Sequence, residues 1–298
     1  MVSRMAEVSI GVPVFNGADF LEGSLQCLRD QTFRDIEVLI FDNCSEDATG
    51  EIAKRFCEVD PRFRYVRHEY NRGAVPNFAA SVEAAQSKFF MWRAADDTSS
   101  LDYVERLHRL LLSNPDRDIA VPKTLEITSG GKLLREKANS PRVNDAGIAG
   151  RVAQIFKLYP DWIYGLFRRD AMVPSIRRVL AEYPYTWDWD TASLFPFAFQ
   201  GRVIGDNEAL LYKVIHPAGP PLTRAQRTRR KDEKVIMARC LTEYKHRLIE
   251  EAKLSQSEKW MFHALITYYT LTGSLSVSRR IRFAVRSSMG YVQPATKS

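Results

Sequence analysis

The stretch FFMWRAADDTSS, residues 89–100, runs from an apolar segment into two adjacent carboxylates, Asp96 and Asp97. A strand can bury the apolar residues that open it. It cannot bury neighbouring like charges, because an unpaired ion in a low-dielectric interior costs several kcal/mol. The aspartates therefore belong past the strand's carboxyl end, where an opposite charge must meet them. The same pattern recurs upstream. EVSIGVPVF (7–15), DIEVLIFDN (35–43) and FRYVRHE (63–69) are apolar strands that each close on a polar cluster, and KFFMWRA (88–94) is the fourth.

Helical stretches fill the intervals, at about 18–31, from the DNCSED turn through about Cys57, and over VPNFAASVEAAQ (75–86). Asn16, with Asp19 three residues on, is the expected N-cap of the first. Strands alternating with helices at this spacing predict an α/β fold, a Rossmann-like, doubly wound and mostly parallel sheet. Such sheets bind ligands outside the carboxyl ends of their strands. The clusters FNG, DNCSED, NRG and ADD should thus converge on one rim. Farther on come a helix at about 102–112 and a strand at 118–128. TSGGKLLREKANSPRVNDAG follows, rich in turn residues and expected to be a mobile connection. A helix near 148–158 and the aromatic stretch YPDWIYGLFRRD come next, and two or three amphipathic helices are expected over 232–290. No internal repeat is visible.

With 298 residues, 45% of them hydrophobic, the chain suits one large domain, or one domain plus an appendage. A chain of this size buries about 75% of its unfolded surface and needs no disulfides. Its cysteines, 27, 44, 57 and 240, form no CxxC, which is the pattern of a reduced, cytoplasmic protein. No run of about 18 apolar residues predicts a membrane span, and MVSRMAEVSIGVPVF reads as a strand, not a signal peptide. The formal net charge is +7, with basic clusters at TRAQRTRRK (223–231) and SRRIRFAVR (278–286). The absence of a nucleic-acid-binding module and the acidic rim argue against nucleic acid as the partner. In the tail, Ile281, Phe283, Val285 and Met289 lie among Arg279, Arg280, Arg282 and Arg286. That mixture suits an anionic membrane surface at the inner face, or a helix packed on the main domain.

Each rim cluster has a chemical reading and a plainer one. Asp42 ends the second strand, where it accepts a hydrogen bond from a nucleobase N–H or caps the next helix. Arg72 in NRG faces a diphosphate or stacks on a base, or the triplet is an ordinary left-handed turn. Asp96 and Asp97 suit a hard divalent cation, Mg²⁺ or Mn²⁺, which takes oxygen ligands and neutralises a leaving diphosphate.

The ordered set VSIGVPVFNG, FLEGSLQCLRDQTFRDIEVLIFDNCSEDAT, NRGAVPNFAASVEAAQSKFFMWRAADD resembles the inverting, GT-A-fold nucleotide-sugar glycosyltransferases of the family-two type, over the first ~100 residues. The resemblance implies that Pro13, Val14, Phe15 and Asn16 line the nucleotide. It makes Asp42 the reader of the base, with Asn71, Arg72 and Gly73 beside it and Asn77 following. Asp96 matches the last aspartate of the metal-binding DxD motif, and Asp97 is the extra aspartate beside it. The first position of that motif is Ala94 here, a departure. More loosely, WDWDTASLFPFAFQGRV resembles the segment carrying the catalytic base. Asp190 then matches the base, with Asp188 as its rival, and His216 matches a histidine that closes the site, on the metal in some members. The implied domains are 1–216, with a nucleotide-sugar half (1–125) and an acceptor half (126–216), and a basic helical extension (217–298). The implied activity is transfer of a sugar, most simply from a UDP-linked donor, to a saccharide or lipid-linked acceptor with inversion. A binding homologue without turnover is the alternative that Ala94 raises.

Overall fold

The computed structural model describes residues 5–139, 141–216 and 224–274. The chain divides into two compact units, Met1–Gly219 and Pro220–Ser298. The first is built on β1 (Val8–Val14), β2 (Ile36–Asp42), β3 (Phe63–Arg67) and β4 (Phe89–Trp92), all parallel, in the order β3-β2-β1-β4. They are connected by α1 (Ala18–Arg29), α2 (Thr49–Val59) and α3 (Ala74–Ala84). After β5 (Thr98–Ser99) and α4 (Tyr103–Leu112) come β6 (Ile119–Ile127), β7 (Leu133–Lys137), α5 (Ile148–Phe156) and β8 (Leu166–Arg168). The unit ends with α6 (Arg169–Glu182), α7 (Trp189–Phe199) and β9 (Val203–Val214). The sheet continues from β4 through β8, β6 and β9 to β5. β8 runs antiparallel to both its neighbours, while β6 and β9 are parallel. The α/β, mostly parallel architecture is the expected one.

Strand alternation feeds two cores, one on each face. Ile10, Val12, Phe89 and Met91 pack with Leu21 and Leu25 of α1 and Leu107 of α4. Leu39, Phe41, Phe90 and Trp92 pack with Val75 and Val82 of α3, Met172 of α6 and Leu194 of α7. Side chains that alternate along a strand point to opposite faces, so runs buried on both sides need helices on both sides. Gly11 shows how closely α3 approaches. It pairs with Leu39 and Trp92, and a Cβ there would lie 2.6 Å from Ser81 Oγ and 2.8 Å from Phe90 Cζ. Ser81 Oγ in turn accepts the indole N–H of Trp92 at 2.9 Å.

Two local expectations are corrected. Asn16 does not cap α1. It has φ 49°, and its Oδ1 accepts the backbone N–H of Glu46 across a loop. The first donors of α1 are met from that same loop, Gly17 N–H by Thr49 Oγ1 and Ala18 N–H by Asp47 Oδ2. Nor is the turn-rich connection without structure, since β7 forms within it and pairs antiparallel with β6. Its side chains are held by cross-strand charges, Lys123–Glu136 and Lys137–Glu126, so the apolar periodicity that announces a strand is missing. β9 carries an irregularity. Val121 pairs with Gly205 but Lys123 with Leu210, and Asp206–Glu208 fall in the interval.

The second unit contains α8 (Arg224–Glu251) and α9 (Gln256–Ser274). Ser255 and Glu258 form a capping box at the start of α9, Ser255 N–H to Glu258 Oε2 at 2.9 Å and Glu258 N–H to Ser255 Oγ at 3.3 Å. The basic tail 278–286 lies outside the described residues, and no described helix is long and apolar enough to cross a membrane.

Replacing Gly11 by alanine should force α3 off β1 and cost about 1–3 kcal/mol, the usual scale for overpacking. Thermal unfolding followed by circular dichroism should show the variant melting several degrees lower. An unchanged midpoint would mean that α3 has room to give.

Candidate active site

Past β4 the chain keeps to the sheet for one more residue, Arg93 N–H bonding Gly11 O at 2.9 Å. The Arg93 side chain is buried, its guanidinium 5.1 Å from the Tyr103 ring centroid and donating to Ser99 Oγ at 2.8 Å. Its Nε and Nη1 have no hydrogen-bond partner among the described residues. It is a built-in cation beneath the acidic turn, and its charge acts on Asp97. This is part of the opposite charge that the sequence demands.

The adjacent aspartates go opposite ways. Asp97 turns inward, 2% exposed, and its Oδ1 accepts the Val214 N–H at the end of β9, 3.0 Å away. Burial, and then the neighbouring charge of Asp96, push its carboxyl up to about 6. Asp96 turns outward, and its Oδ2 lies 3.0 Å from His216 Nε2, with the imidazole packed on Phe20 at 4.6 Å. The expected ligand trio is therefore corrected to a pair. The tight turn, Asp97 N–H to Ala94 O at 3.3 Å, separates the two carboxylates. Among the described residues no group of three or more His, Cys, Asp or Glu is gathered to hold an ion. The pair itself suits one. Asp96 and His216, a carboxylate oxygen and an imidazole nitrogen 3.0 Å apart, are the groups that would hold such an ion.

Asp188 and Asp190 flank Trp189 at the start of α7. Asp188 is exposed, in the left-handed region at φ 59°. Trp189 packs edge-on against Phe78 at 4.8 Å and Trp92 at 6.2 Å, which docks the start of α7 on the end of β4. Asp190, in the first turn, is partly buried and accepts the Thr191 N–H at 2.6 Å. Burial raises its carboxyl, the Asp188 charge adds to this, and Lys213 opposes it. Burial, and then the charges of Asp97, Asp96, Asp161 and Asp190, hold the Tyr164 phenol well above its ordinary range.

Asp161 was not found from the sequence. It is 1% exposed, with Lys213 and Lys137 each 2.5 Å from one of its oxygens, and Lys137 also reaches Glu126. Burial alone would raise its carboxyl, but the two lysines more than offset this and hold it below the usual range. No local spacing announces this cluster, because its members come from β7, β9 and the turn Pro160–Tyr164.

On the other side of the rim, Pro13 and Val14 are buried at the end of β1, and Phe15 and Asn16 are exposed beyond it. Asp42 does not open into the crevice as expected. It is 0% exposed, with Oδ1 accepting Ser45 N–H and Oδ2 accepting the Tyr65 hydroxyl at 2.5 Å and Arg67 Nη1 at 2.9 Å. It organises the loop after β2 and does not cap α2, whose N-cap is Ala48 with no side-chain cap, so the plainer reading is corrected too. Asn71 Oδ1 accepts Asn43 Nδ2 and Gly73 N–H, and Gly73 takes the left-handed φ of 85° that the turn requires. Asn77 is buried, donating to Phe41 O and facing His68 Nε2. Arg72 is exposed.

The profile of the Glycosyl transferase family 2 matches residues 9–165, more than half of the chain. The chain belongs to that family. Glycosyltransferase GlyA of Streptococcus pneumoniae serotype 4 is 31% identical over 115 residues, which is 39% of this chain but only 16% of that relative's length. Among solved structures, Staphylococcus aureus TarS 1-349 in complex with UDP-GlcNAc superposes with a TM-score of 0.65 at 15% identity, covering 94% of this chain and 76% of the other. The mannosyltransferase PcManGT of Pyrobaculum calidifontis, in complex with GDP-Man and Mn²⁺, gives 0.58 at 17% identity, covering 97% and 77%. These structures share the family-2 glycosyltransferase fold described above.

Because Asp97 is raised to about 6, its contribution to stability is full below about pH 4 and is lost as pH rises through about 6. Asparagine keeps an acceptor for Val214 N–H and drops the charge. In chelator, Asp97→Asn should therefore gain on the parent as pH rises, by roughly 2 kcal/mol at pH 8 relative to pH 4. Urea titrations at both pH values would check this, and a difference independent of pH would mean that Asp97 is not buried as described.

Proposed function

We propose that this family-2 chain moves a sugar from a UDP-linked donor to a saccharide or lipid-linked acceptor of cell-surface polysaccharide synthesis, with inversion. The observation that carries the reading is the placement of Asp96, with His216 3.0 Å away, just past β4, and of Asp190 at the start of α7, which Trp189 docks on Trp92 at the end of β4. TarS, whose complex holds UDP-GlcNAc, supports the choice of donor.

The mechanism is a single displacement at the anomeric carbon. Asp190 takes the proton from the acceptor hydroxyl, and burial raises its carboxyl, which makes it a stronger base than an exposed aspartate. Asp96 and His216 would hold Mn²⁺ or Mg²⁺, the former being present in the PcManGT complex, and such an ion offsets the charge developing on the leaving diphosphate. Asp188, on the exposed side of Trp189, orients the acceptor loop. Residues 1–125 form the donor half, 126–216 the acceptor half, and 217–298 an extension that meets an anionic inner membrane surface. Ala94 and the two-donor ion site favour a second reading, a homologue that binds the donor without turning it over.

Three measurements test the proposal. Asp190→Asn should lower kcat by roughly 10²–10⁴ while UDP affinity stays nearly intact, and Asp188→Asn should cost far less. The parent's rate should fall with decreasing pH through a midpoint above the ordinary carboxylate range, where Asp190 becomes protonated. UDP release from a panel of sugar nucleotides should stop in chelator and in Asp96→Asn. Full activity in chelator would refute the ion's role, and donor binding without release in any condition would favour the second reading.

A further inference from the structure

The stretch WMFHALITYYTLTGSLSVS, residues 260–278, contains no Asp, Glu, Lys or Arg. Most of it is α9, which has two unlike faces. One is buried, with Phe262 at 0% and Ile266 at 2% exposure. Beside that face α9 is tied to α8, His263 Nε2 to Glu250 Oε1 at 2.7 Å and Thr270 Oγ1 to Thr242 Oγ1 at 2.8 Å. On the opposite face stand Trp260, Ala264 and Tyr268, four residues apart and so in one row. All three are exposed, and Trp260, at 70%, is the most exposed large hydrophobic among the described residues. A helix that turns one side to water normally lines that side with charge. This row has none.

We infer, resting on the membrane reading of the extension above, that the Trp260–Ala264–Tyr268 face of α9 docks in the plane of an anionic lipid surface. Charge identifies the occupant. Residues 220–298 hold 16 Lys and Arg against 6 Asp and Glu, whereas residues 1–219 hold 27 against 30. The excess positive charge of the chain lies entirely in the extension, and it brackets the uncharged run. Lys253 is exposed in the turn before α9, and Arg279, Arg280, Arg282 and Arg286 follow in the sequence. Anionic headgroups attract such flanks, and indole and phenol rings suit the headgroup boundary, apolar body inward and polar tip in water. A nucleic-acid duplex would meet the flanks through its phosphates but gain nothing from the uncharged row. A second copy of this chain would bring the same positive charge to the contact and be repelled. No described helix is long and apolar enough to cross a bilayer, which accords with a helix lying on the surface. Docking of this kind favours the lipid-linked acceptor over the free saccharide.

The test is flotation of the full chain with vesicles of phosphatidylcholine, alone or with about one-third phosphatidylglycerol. The parent is compared with Trp260→Ala, Trp260→Phe and a triple variant, Arg279→Gln with Arg280→Gln and Arg282→Gln. Trp260 is exposed, so its variants keep the fold, and circular dichroism checks each one. The parent should float with the anionic vesicles and not with the neutral ones. Trp260→Ala should weaken partitioning by about tenfold, and Trp260→Phe by no more than about threefold, since the ring's apolar area is what enters the lipid. If Trp260→Ala floats like the parent while the triple variant does not, the face of α9 is not the contact and the membrane reading stands on the basic tail. If the parent sediments as a dimer that Trp260→Ala splits into monomers, the face belongs to a second copy and the docking inference is overturned. If the parent ignores anionic vesicles, or binds duplex DNA instead, the membrane reading itself falls, and this inference with it.

Discussion

The hydrogen bond from Val214 N–H to Asp97 Oδ1 joins the end of β9 to the turn after β4. Around it, three successive features of one chain segment find their partners. Lys213 meets Asp161, Val214 meets Asp97, and His216 meets Asp96. The acidic turn is thus held by a strand from the other half of the domain, and the inward aspartate gives up its exposure so that the outward one can be presented. The cost of burying Asp97 is moderated by the Arg93 and Lys213 charges. A carboxylate stranded in that position without them would be far more expensive.

The α/β architecture was legible because its signal is local and repeated. Val38 through Phe41 and Phe89 through Trp92 each alternate between two cores, and such runs force helices onto both faces. Polar clusters after each strand then mark the rim without any distance information. What was not legible depends on pairings remote in sequence. The cap of α1 is supplied by Asp47 and Thr49, and Asp161 owes its state to lysines on two other strands. β7 escaped notice because its ladder is held by charges rather than by a repeating apolar face.

The two sides of the rim use carboxylates in contrasting ways. Asp42 is closed off by Tyr65, Arg67 and Ser45 N–H, which fix the loop after β2. Asp96 is left open with a single histidine beside it. Both are aspartates at the end of a strand or just past it, and nothing in their immediate neighbours separates them. What separates them is the residue across the sheet, Arg67 in one case and the end of β9 in the other.

The irregular stretch of β9 gives chain length itself a meaning. Between Gly205 and Leu210 the strand departs from its ladder with β6 and then rejoins it for the five residues that end in Val214. Side chains alternate with a period of two, so a one-residue slip would exchange the faces of Lys213 and Val214. Asp206 and Asn207 hold the detour in place through Arg106 and Asn139. The number of residues in that detour, rather than their chemistry, sets the phase of everything downstream. A single deletion there would act like a misthreaded screw, leaving Lys213, Val214 and His216 present and none of them in position.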